Sequence, residues 1–316
     1  QKTGNVTFPP QRLMPKYIDI HSHVNFTAFD DDRDEVIRRA LENDTWVINV
    51  GTQLDTSKSA IELAEKYKEG VYAIVGLHPI HTGASYHDEK ELGEGGKEST
   101  RIVDFGDATK SRAESASPKF TTGFTSRGET FNKKDYRELL KNPKVVGIGE
   151  CGLDYYRLDA DSIEKQKKNF TLQIELANEI GKPLMLHIRQ AYKDALEILK
   201  THLKSKSLPA GRQGDVHFFA GTWEEAKGFL DLGFTLSFTG VITFTHDYDE
   251  VIKNTPLDMI LSETDCPYVT PVPYRGKRNE PVYVREVVKR IAEIKGLPED
   301  EVAEAIIGNA RRVFNI

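Results

Sequence analysis

The chain of 316 residues contains only two cysteines. They are Cys151 and Cys266, and two cysteines cannot build a disulfide framework in a chain this long. The sequence therefore predicts a reducing compartment, and we expect the cytoplasm. The first residues lack the apolar stretch of a secretory signal. No apolar run approaches the roughly 18 residues that a membrane span requires, so we expect no membrane partner.

The chain also lacks an excess of basic side chains, since its formal net charge is -6. Long duplex DNA rewards many Lys and Arg contacts, so a sequence-independent duplex binder is not favoured. A polyanionic substrate must instead meet a local positive field, which bound metal ions can supply. With 38% hydrophobic and 29% charged residues, the composition is that of a globular protein with a large core. We favour a monomer.

Short apolar runs alternate with charged amphipathic stretches along the chain. Most runs are continuous, as expected for parallel strands that are buried on both faces. The eight runs cover residues 17–20, 46–50, 71–77, 145–148, 183–188, 215–219, 234–239 and 259–261. Segments with apolar residues every three or four positions lie between them, at 34–43, 56–69, 162–180 and 192–203. This alternation predicts an α/β protein with one domain over 1–316, a TIM-type (β/α)8 barrel rather than an open sheet.

Residues 85–132 do not follow this repeat. They are rich in Gly, Ser, Thr, Glu and Lys, and they lie between the third run and the helix before the fourth. We predict an irregular insertion at 85–132, for which the composition favours disorder over a functional loop. His81 and His87 fall toward this stretch, and we expect both to lie in solvent.

Histidine and carboxylate side chains stand at the ends of several apolar runs. His21 and His23 are two positions apart, so on a strand both face one side and form a chelate for a transition metal. Taken alone, this pair is equally well explained as two surface histidines. The same placement recurs in four further residues: Glu150, His187, His217 and Asp265. The carboxyl ends of all strands of a barrel meet at one mouth, so we expect these six side chains to converge there.

Four imidazoles and two carboxylates exceed one tetrahedral metal site but match two divalent ions, with Glu150 as the best bridging candidate. Paired ions suit hydrolysis because they activate water and stabilise the leaving oxygen. Nitrogen-rich ligation favours Zn, Co or Mn, and the carboxylates keep Mg open. Cys151 and Cys266 adjoin two of these residues in the chain, but small packing residues are the better explanation for both.

Cationic and imidazole side chains near the same mouth are candidates for binding substrate. His78 follows the third run in Gly-Leu-His-Pro and can contact substrate or a leaving group. Arg275, Lys277 and Arg278 follow the eighth run within one loop. This loop is either a phosphate clamp or a solvated basic segment, and its position beside a metal site favours the clamp.

Several motifs together resemble those of TatD-type metal-dependent deoxyribonucleases of the metallo-dependent hydrolase superfamily. They are His21-Ser22-His23, Gly76-Leu77-His78-Pro79, Gly147-Ile148-Gly149-Glu150, Gly152-Leu153-Asp154-Tyr155, Glu263-Thr264-Asp265-Cys266-Pro267-Tyr268, Arg275-Gly276-Lys277-Arg278-Asn279-Glu280-Pro281 and Gly308-Asn309-Ala310. The resemblance runs from about Tyr17 to the C-terminus and skips the insertion. It departs from the family pattern at Ile80, Ile188-Arg189-Gln190 and Phe218-Phe219-Ala220-Gly221, none of which is a candidate ligand.

The resemblance implies a TIM barrel with its metal site at the C-terminal mouth of the strands. It implies an enzyme that hydrolyses DNA phosphodiester bonds, often as a 3′–5′ exonuclease on single strands or 3′ ends, with water activated by two divalent metals. The implied metal ligands are His21, His23, Glu150, His187, His217 and Asp265. We expect Glu150 to bridge the metals, Asp265 also to orient or deprotonate the water, and His78 to contact the reacting phosphate.

Two other functions stay open. One is hydrolysis of another ester at the same site, such as the bond in D-aminoacyl-tRNA. The other is a non-enzymatic scaffold that uses metal for stability alone. The scaffold is less favoured, because a structural metal needs one closed site whereas six ligands for two ions leave positions open for water.

Overall fold

The computed structural model describes residues 14–83, 85–87, 99–103, 120–126, 128–156, 161–203 and 212–316. The strands are β1 (Tyr17–Ser22), β2 (Thr45–Val50), β3 (Val71–Val75), β4 (Ser85–His87), β5 (Ser99–Val103), β6 (Phe120–Ser126), β7 (Val145–Asp154), β8 (Leu184–Arg189), β9 (Gly214–His217), β10 (Phe234–Phe238) and β11 (Ile260–Ser262). The main sheet has eight parallel strands in the order β1-β2-β3-β7-β8-β9-β10-β11.

The first and last strands of this sheet lie side by side. Ser22 forms a parallel bridge with Cys266, and the backbone N–H of Asp265 donates to the carbonyl of His21 at 2.9 Å. The hydroxyl of Ser262 donates to the carbonyl of Ile18 at 3.2 Å. The sheet therefore curls into a nearly closed barrel, and the prediction of a (β/α)8 barrel is confirmed.

Helices surround the barrel. They are α1 (Arg33–Glu42), α2 (Leu54–Glu65), α3 (Lys133–Leu139), α4 (Ser162–Ile180), α5 (Tyr192–His202), α6 (Trp223–Asp231), α7 (Asp249–Asn254), α8 (Val284–Lys295) and α9 (Glu299–Phe314). In α8 the buried residues Val284, Val287, Val288 and Ile291 recur every three or four positions and form one apolar face. Within the described residues, none of the helices has the length and apolarity needed to cross a membrane.

The barrel strands are buried on both faces, as their continuous apolar runs predict. All ten residues of β7 and all five of β10 are buried. Cys151 and Cys266 are free thiols with no exposed surface. Both cysteines are therefore packing residues, as expected.

Three strands of the 85–132 stretch form a separate antiparallel sheet in the order β4-β6-β5. Thr, Ile, Val and Phe are concentrated in β5 and β6, and such residues favour extended backbone. Much of the predicted irregular insertion lies outside the described residues. Its end packs on the barrel, since Phe131 is buried and its N–H donates to the side chain of Asn169.

Candidate metal centre at the mouth of the barrel

Glu150 reaches the middle of the mouth because β7 is irregular at that point. The pairing of β7 with β8 shifts by one residue between Ile148 and Cys151, which is a β-bulge around Glu150. A bulge re-aims the side chain of the extra residue. The strands also approach closely, since a Cβ at Gly152 would lie 2.0 Å from the carbonyl oxygen of His187. Gly152 has φ +145°, a conformation that favours glycine.

The two carboxylate oxygens of Glu150 face two different groups of imidazoles. Its Oε2 lies 3.4 Å from Nε2 of His21 and 3.8 Å from Nε2 of His23. Its Oε1 lies 2.8 Å from Nδ1 of His187 and 3.4 Å from Nε2 of His217. Glu150 itself is buried. A carboxylate placed between two nitrogen-rich groups has the arrangement of a bridging ligand.

Asp265 completes the group on the Oε2 side. Its Oδ1 lies 3.5 Å from Nε2 of His23 and 3.9 Å from Nε2 of His21. Its backbone is left-handed, with φ 55°, and aspartate tolerates that conformation better than most residues. The structure therefore brings together all six residues that the sequence singles out as ligands. Strands β7 and β8 continue beyond Glu150 and His187, so these two residues lie within strands rather than at their ends.

Hydrogen bonds on the far side of three imidazoles set which nitrogen carries the proton. Nδ1 of His23 lies 2.9 Å from the carbonyl oxygen of Val50. Nδ1 of His217 lies 3.0 Å from Glu263, and Nε2 of His187 lies 3.1 Å from Asp154. Each of these nitrogens keeps its proton when the ring is neutral, so the other nitrogen, which faces the cluster, is the one that gives up its proton when a cation binds. This is the tautomer that a metal ligand requires.

His78 also reaches the cluster, but the proton of its neutral ring points toward the cluster rather than away from it. Its Nε2 lies 3.2 Å from Oε1 of Glu150, and its ring lies 4.3 Å from that of His187. Its Nδ1 accepts a hydrogen bond from the backbone N–H of Ile80 at 3.2 Å. The proton of the neutral ring is therefore on Nε2, which points at the cluster as a donor. Burial lowers the pKa of His78 to about 4, so the ring is neutral near pH 7.

The field at the centre of the cluster favours positive charge. Burial would lower the pKa of His217, but Glu263 and Glu150 raise it to about 10. Burial would likewise lower the pKa of His187, but hydrogen bonds to Asp154 and Glu150 raise it to about 9. Burial opposes ionisation of Glu150, yet the surrounding histidines hold its pKa well below the usual range. The donor set thus fits divalent cations in both charge and tautomer.

Two carboxylates behind the histidines were not assigned a role from the sequence. Glu263 has no exposed surface and accepts from Nδ1 of His217, from the N–H of Phe218 and from the hydroxyl of Ser237. Asp154 accepts from His187 and from the N–H of Tyr156. Each carboxylate orients one histidine of the candidate metal centre. Glu263 carries a detectable signal, because a charged residue that continues an apolar run must be paired.

The three cations of the 275–278 loop differ in their surroundings. Arg278 donates to both oxygens of Asp32, at 2.8 and 2.6 Å, and to the carbonyl of Ala28. The guanidinium of Arg275 lies 4.0 Å from the ring centroid of Phe244, and its Nη1 donates to the carbonyl of Thr270. Lys277 is exposed. Arg278 therefore ties the loop to the segment before α1.

The expectation that His81 lies in solvent is wrong. His81 is only 1% exposed, and its ring centroid lies 5.8 Å from that of His78. It is buried because the chain turns back over it, with the N–H of Glu129 donating to its carbonyl at 2.7 Å. The side chain of His87 lies outside the described residues.

A family model described as TatD related DNase matches residues 18–315. The chain belongs to this family. The resemblance in its motifs is thereby confirmed, and the match covers the whole barrel. The chain is a TatD-family metal-dependent hydrolase, and among its described residues three groups of side chains could hold a metal ion, with the ligand atoms of each group within 4.8 Å of one another. They are His21, His23 and Glu150; His78, Glu150 and His187; and His21, His217 and Glu263.

Relatives of known sequence and structure agree with TatD membership. The chain is 35% identical over 301 residues to the uncharacterized metal-dependent hydrolase YabD of Bacillus subtilis, covering 94% of this chain and 98% of that protein. It is 29% identical over 306 residues to the 3′-5′ ssDNA/RNA exonuclease TatD of Erwinia tasmaniensis, covering 94% and 99%. The crystal structure of the TatD homolog YJJV from Escherichia coli superposes with TM-score 0.73 at 26% identity, covering 95% and 98%.

Proposed function

We propose that this TatD-family hydrolase cleaves phosphodiester bonds of DNA, as a 3′–5′ exonuclease on single strands, and binds two divalent ions. One observation carries this proposal: each oxygen of Glu150 faces its own group of imidazole nitrogens. His21, His23 and Asp265 would hold the ion on the Oε2 side, and His187 and His217 would hold the ion on the Oε1 side. Bound there, Zn, Mn, Co or Mg ions supply Lewis acidity at phosphoryl oxygens and activate water.

Asp265 is the residue that handles the attacking water. Its side chain is 15% exposed, whereas that of His21 is fully buried and that of Glu150 is 5% exposed. Burial would raise the pKa of Asp265, but the hydrogen bond with His23 and the neighbouring imidazoles lower it. Asp265 is therefore a carboxylate at the solvent side of the cluster, where it orients the water and receives its proton.

His78 contacts the reacting phosphate rather than a metal ion. Its Nε2–H points toward the cluster, and a neutral N–H donor can hold a phosphoryl oxygen whose charge increases during the reaction. Among the loop cations, exposed Lys277 can reach a neighbouring phosphate more easily than Arg278, and Arg275 lies at another exposed position of the same loop. We assign Arg278 to the same phosphate-binding loop, where its pairing with Asp32 fixes the backbone beside Lys277.

Nucleic acid is the favoured substrate for two reasons. The Erwinia relative is named for activity on single-stranded DNA and RNA. The cations of the loop lie in the segment between β11 and α8, on the side of the mouth, where a chain of phosphates would pass. Hydrolysis of D-aminoacyl-tRNA at the same centre is the competing function.

A substrate panel tests this function. The purified protein is incubated with 3′- and 5′-labelled single-stranded DNA, duplex DNA, RNA and D-aminoacyl-tRNA, with Mg, Mn, Co or Zn. We expect stepwise loss of nucleotides from the 3′ end of single-stranded DNA. Efficient deacylation of the tRNA with intact DNA would overturn the proposal.

Glu150→Gln removes the charge of the bridging residue at nearly constant volume. We expect turnover to fall by at least ~10²-fold, because metal affinity at both positions depends on that charge. The melting temperature should stay close to that of the wild type. Glu138→Gln is the matched control, since Glu138 is exposed and pairs only with Lys141 on the helix surface among the described contacts. Near-normal turnover of Glu150→Gln at saturating metal would exclude a bridging role.

A further inference from the structure

An aromatic side chain is exposed at the mouth beside the candidate metal centre. Among the described residues, the exposed large hydrophobic side chains are Met14, Tyr156 and Val272. Tyr156 is 39% exposed and follows the end of β7, the strand that carries Glu150. An exposed aromatic ring beside a reaction centre is a candidate for contacting substrate.

Tyr156 is fixed relative to the ligands by its own backbone. Its N–H donates to Oδ1 of Asp154 at 2.9 Å, and Oδ2 of the same carboxylate lies 3.1 Å from Nε2 of His187. One carboxylate therefore connects the backbone of the aromatic residue to a histidine of the candidate metal centre.

Arg189 stacks on the ring of Tyr156. The guanidinium carbon lies 3.7 Å from the ring centroid. Arg189 ends β8 directly opposite Asp154 in the strand register, and its carbonyl accepts from the N–H of Tyr155 at 2.9 Å. The two planar groups thus come from the carboxyl ends of adjacent strands, at the rim that also carries Glu150 and His187.

A tyrosine ring and a guanidinium stacked together form a planar, cationic surface. Nucleobases stack on aromatic rings and on arginine planes whatever their sequence, because every base has a π-face. The guanidinium also attracts the phosphates on either side of a stacked base. A free ester or a peptide without aromatic groups gains little from such a surface.

We propose that Tyr156 and Arg189 form a stacking platform for the nucleobase next to the scissile phosphate. This proposal rests on the proposed hydrolysis of nucleic acid, and it adds that the enzyme binds a base of the substrate as well as its phosphate. Stacking tolerates all four bases. The platform should therefore bind a nucleotide that carries a base more tightly than a baseless one, without sequence specificity.

The test compares two single-stranded DNA oligonucleotides that differ only in the terminal 3′ nucleotides, which carry either bases or baseless tetrahydrofuran sugars. For the wild type, we expect loss of the bases to raise KM by about 5- to 150-fold, the range of one aromatic–base stack. In Tyr156→Ala this penalty should shrink to about twofold or less. The backbone N–H that holds Asp154 is kept in this variant. Tyr156→Phe should keep the penalty, and so should Val272→Ala, which alters another exposed apolar residue.

Equal penalties in the wild type and in Tyr156→Ala would overturn the platform. Binding of the same two oligonucleotides, measured by fluorescence anisotropy in EDTA, gives a readout that does not depend on hydrolysis. If the wild type cleaves neither oligonucleotide with any metal, the proposed function fails, and the anisotropy comparison still decides whether Tyr156 binds bases. Arg189→Lys should lower the preference for bases, because lysine lacks the planar group.

Discussion

Asp215 connects the wall of the barrel to the candidate metal centre. It has no exposed surface, and its two oxygens contact the hydroxyls of Thr235 at 2.7 Å and Ser237 at 2.5 Å. Ser237 in turn lies 3.0 Å from Glu263, which orients His217. Burial raises the pKa of Asp215 to about 8. The carboxyl is therefore largely protonated at neutral pH, and its oxygens accept from the hydroxyls of Thr235 and Ser237.

Asp215→Asn should be tolerated and should gain stability relative to the wild type as pH rises. Between pH 4 and 8, the carboxyl is ionised in the unfolded chain but protonated in the folded one. Raising the pH through this window thus destabilises the wild type, by up to about 1.4 kcal/mol per pH unit. Asparagine copies the protonated acid without titrating. The measurement is urea unfolding of both proteins at several pH values, and a constant difference between them would contradict a protonated Asp215.

Asp19→Asn is the matched comparison, and it should behave differently. Asp19 is equally buried, but it accepts from the N–H groups of His21 and Thr264 and from the hydroxyl of Thr264. An amide can replace only part of these acceptors. Burial also raises the pKa of Asp19, so its pH trend should have the same sign, but Asp19→Asn should be less stable than Asp215→Asn because a buried donor is left without its partner.

The sequence identifies the residues that touch the proposed ions better than the residues that hold them. His21, Glu150 and Asp265 stand out because a polar side chain at the end of an apolar run is costly to bury unless it is paired or binds a metal. Asp154 does not stand out in the same way, and the position of Glu263 after an apolar run shows only that it must be paired, not with which residue. Their roles come from partners on a neighbouring strand, and one sequence does not show which side chains pair across a sheet.

Helix α4 holds two segments of the mouth with a row of buried amides. Gln173 accepts from the N–H of Leu77 at 2.9 Å and donates to its carbonyl at 3.0 Å, so it pairs with the backbone just before His78. Gln166 makes the same two bonds with the backbone of Asp154, at 2.7 and 2.9 Å. The helix thereby acts as an extra pairing partner for the segments that carry His78 and Asp154.

Gln173→Glu should make stability and activity depend on pH. A protonated glutamic acid has the shape of glutamine and can keep both bonds, whereas the carboxylate repels the carbonyl of Leu77. Because the position has no exposed surface, burial should raise the pKa of the new carboxyl. We expect the melting temperature and kcat to approach wild-type values near pH 5 and to fall as pH rises, roughly tenfold or more in kcat. Asn43→Asp, the same change at an exposed site, should show no such trend.

A loss in Gln173→Glu that is the same at every pH would mean that the amide matters only for packing. Gln173→Met, which has similar volume and no hydrogen bonds, should lose activity at all pH values. The two variants together separate hydrogen bonding from volume.

The elements themselves are largely predictable, because strands buried on both faces leave continuous apolar runs. The eight runs match the eight barrel strands, and the segment 162–180 coincides with α4. The run at 145–148 is too short by six residues, since Gly149, Glu150 and Gly152 break the apolar pattern while β7 continues to Asp154. The bulge that aims Glu150 depends on pairing with β8, which one strand's sequence does not specify.

The molecule as a whole is acidic, with a net charge of -6. A broad basic footprint is therefore not expected, and few counterions should be released when single-stranded DNA binds. We expect log K to fall with log salt with a slope of magnitude about 1–3, since each neutralised phosphate contributes roughly 0.7. The measurement is anisotropy of labelled single-stranded DNA over a range of salt concentrations. A steep slope like that of extended duplex binders would contradict the prediction that the protein neutralises only a few phosphates.

Lys277→Ala should reduce this slope and raise KM more than it lowers kcat, which is the pattern for binding lost equally from substrate and transition state. Arg278→Ala should differ from it. Arg278 is paired with Asp32 in the segment before α1, so its loss should loosen the loop and lower the melting temperature as well. If the two variants had the same KM, kcat and melting temperature, Lys277 and Arg278 would not differ in the way proposed, with one contacting phosphate and the other stabilising the loop.

Closure of the barrel between β1 and β11 has a consequence for synthesis on the ribosome. His21 and His23 leave the exit tunnel long before Asp265 is translated, and their partners arrive in order along the chain. The N–H of Asp265 pairs with the carbonyl of His21 only when β11 has docked beside β1. A nascent chain, or one that ends at a premature stop codon before residue 265, therefore lacks the complete set of candidate ligands. The candidate metal centre becomes complete only when β11 docks beside β1 and the barrel closes.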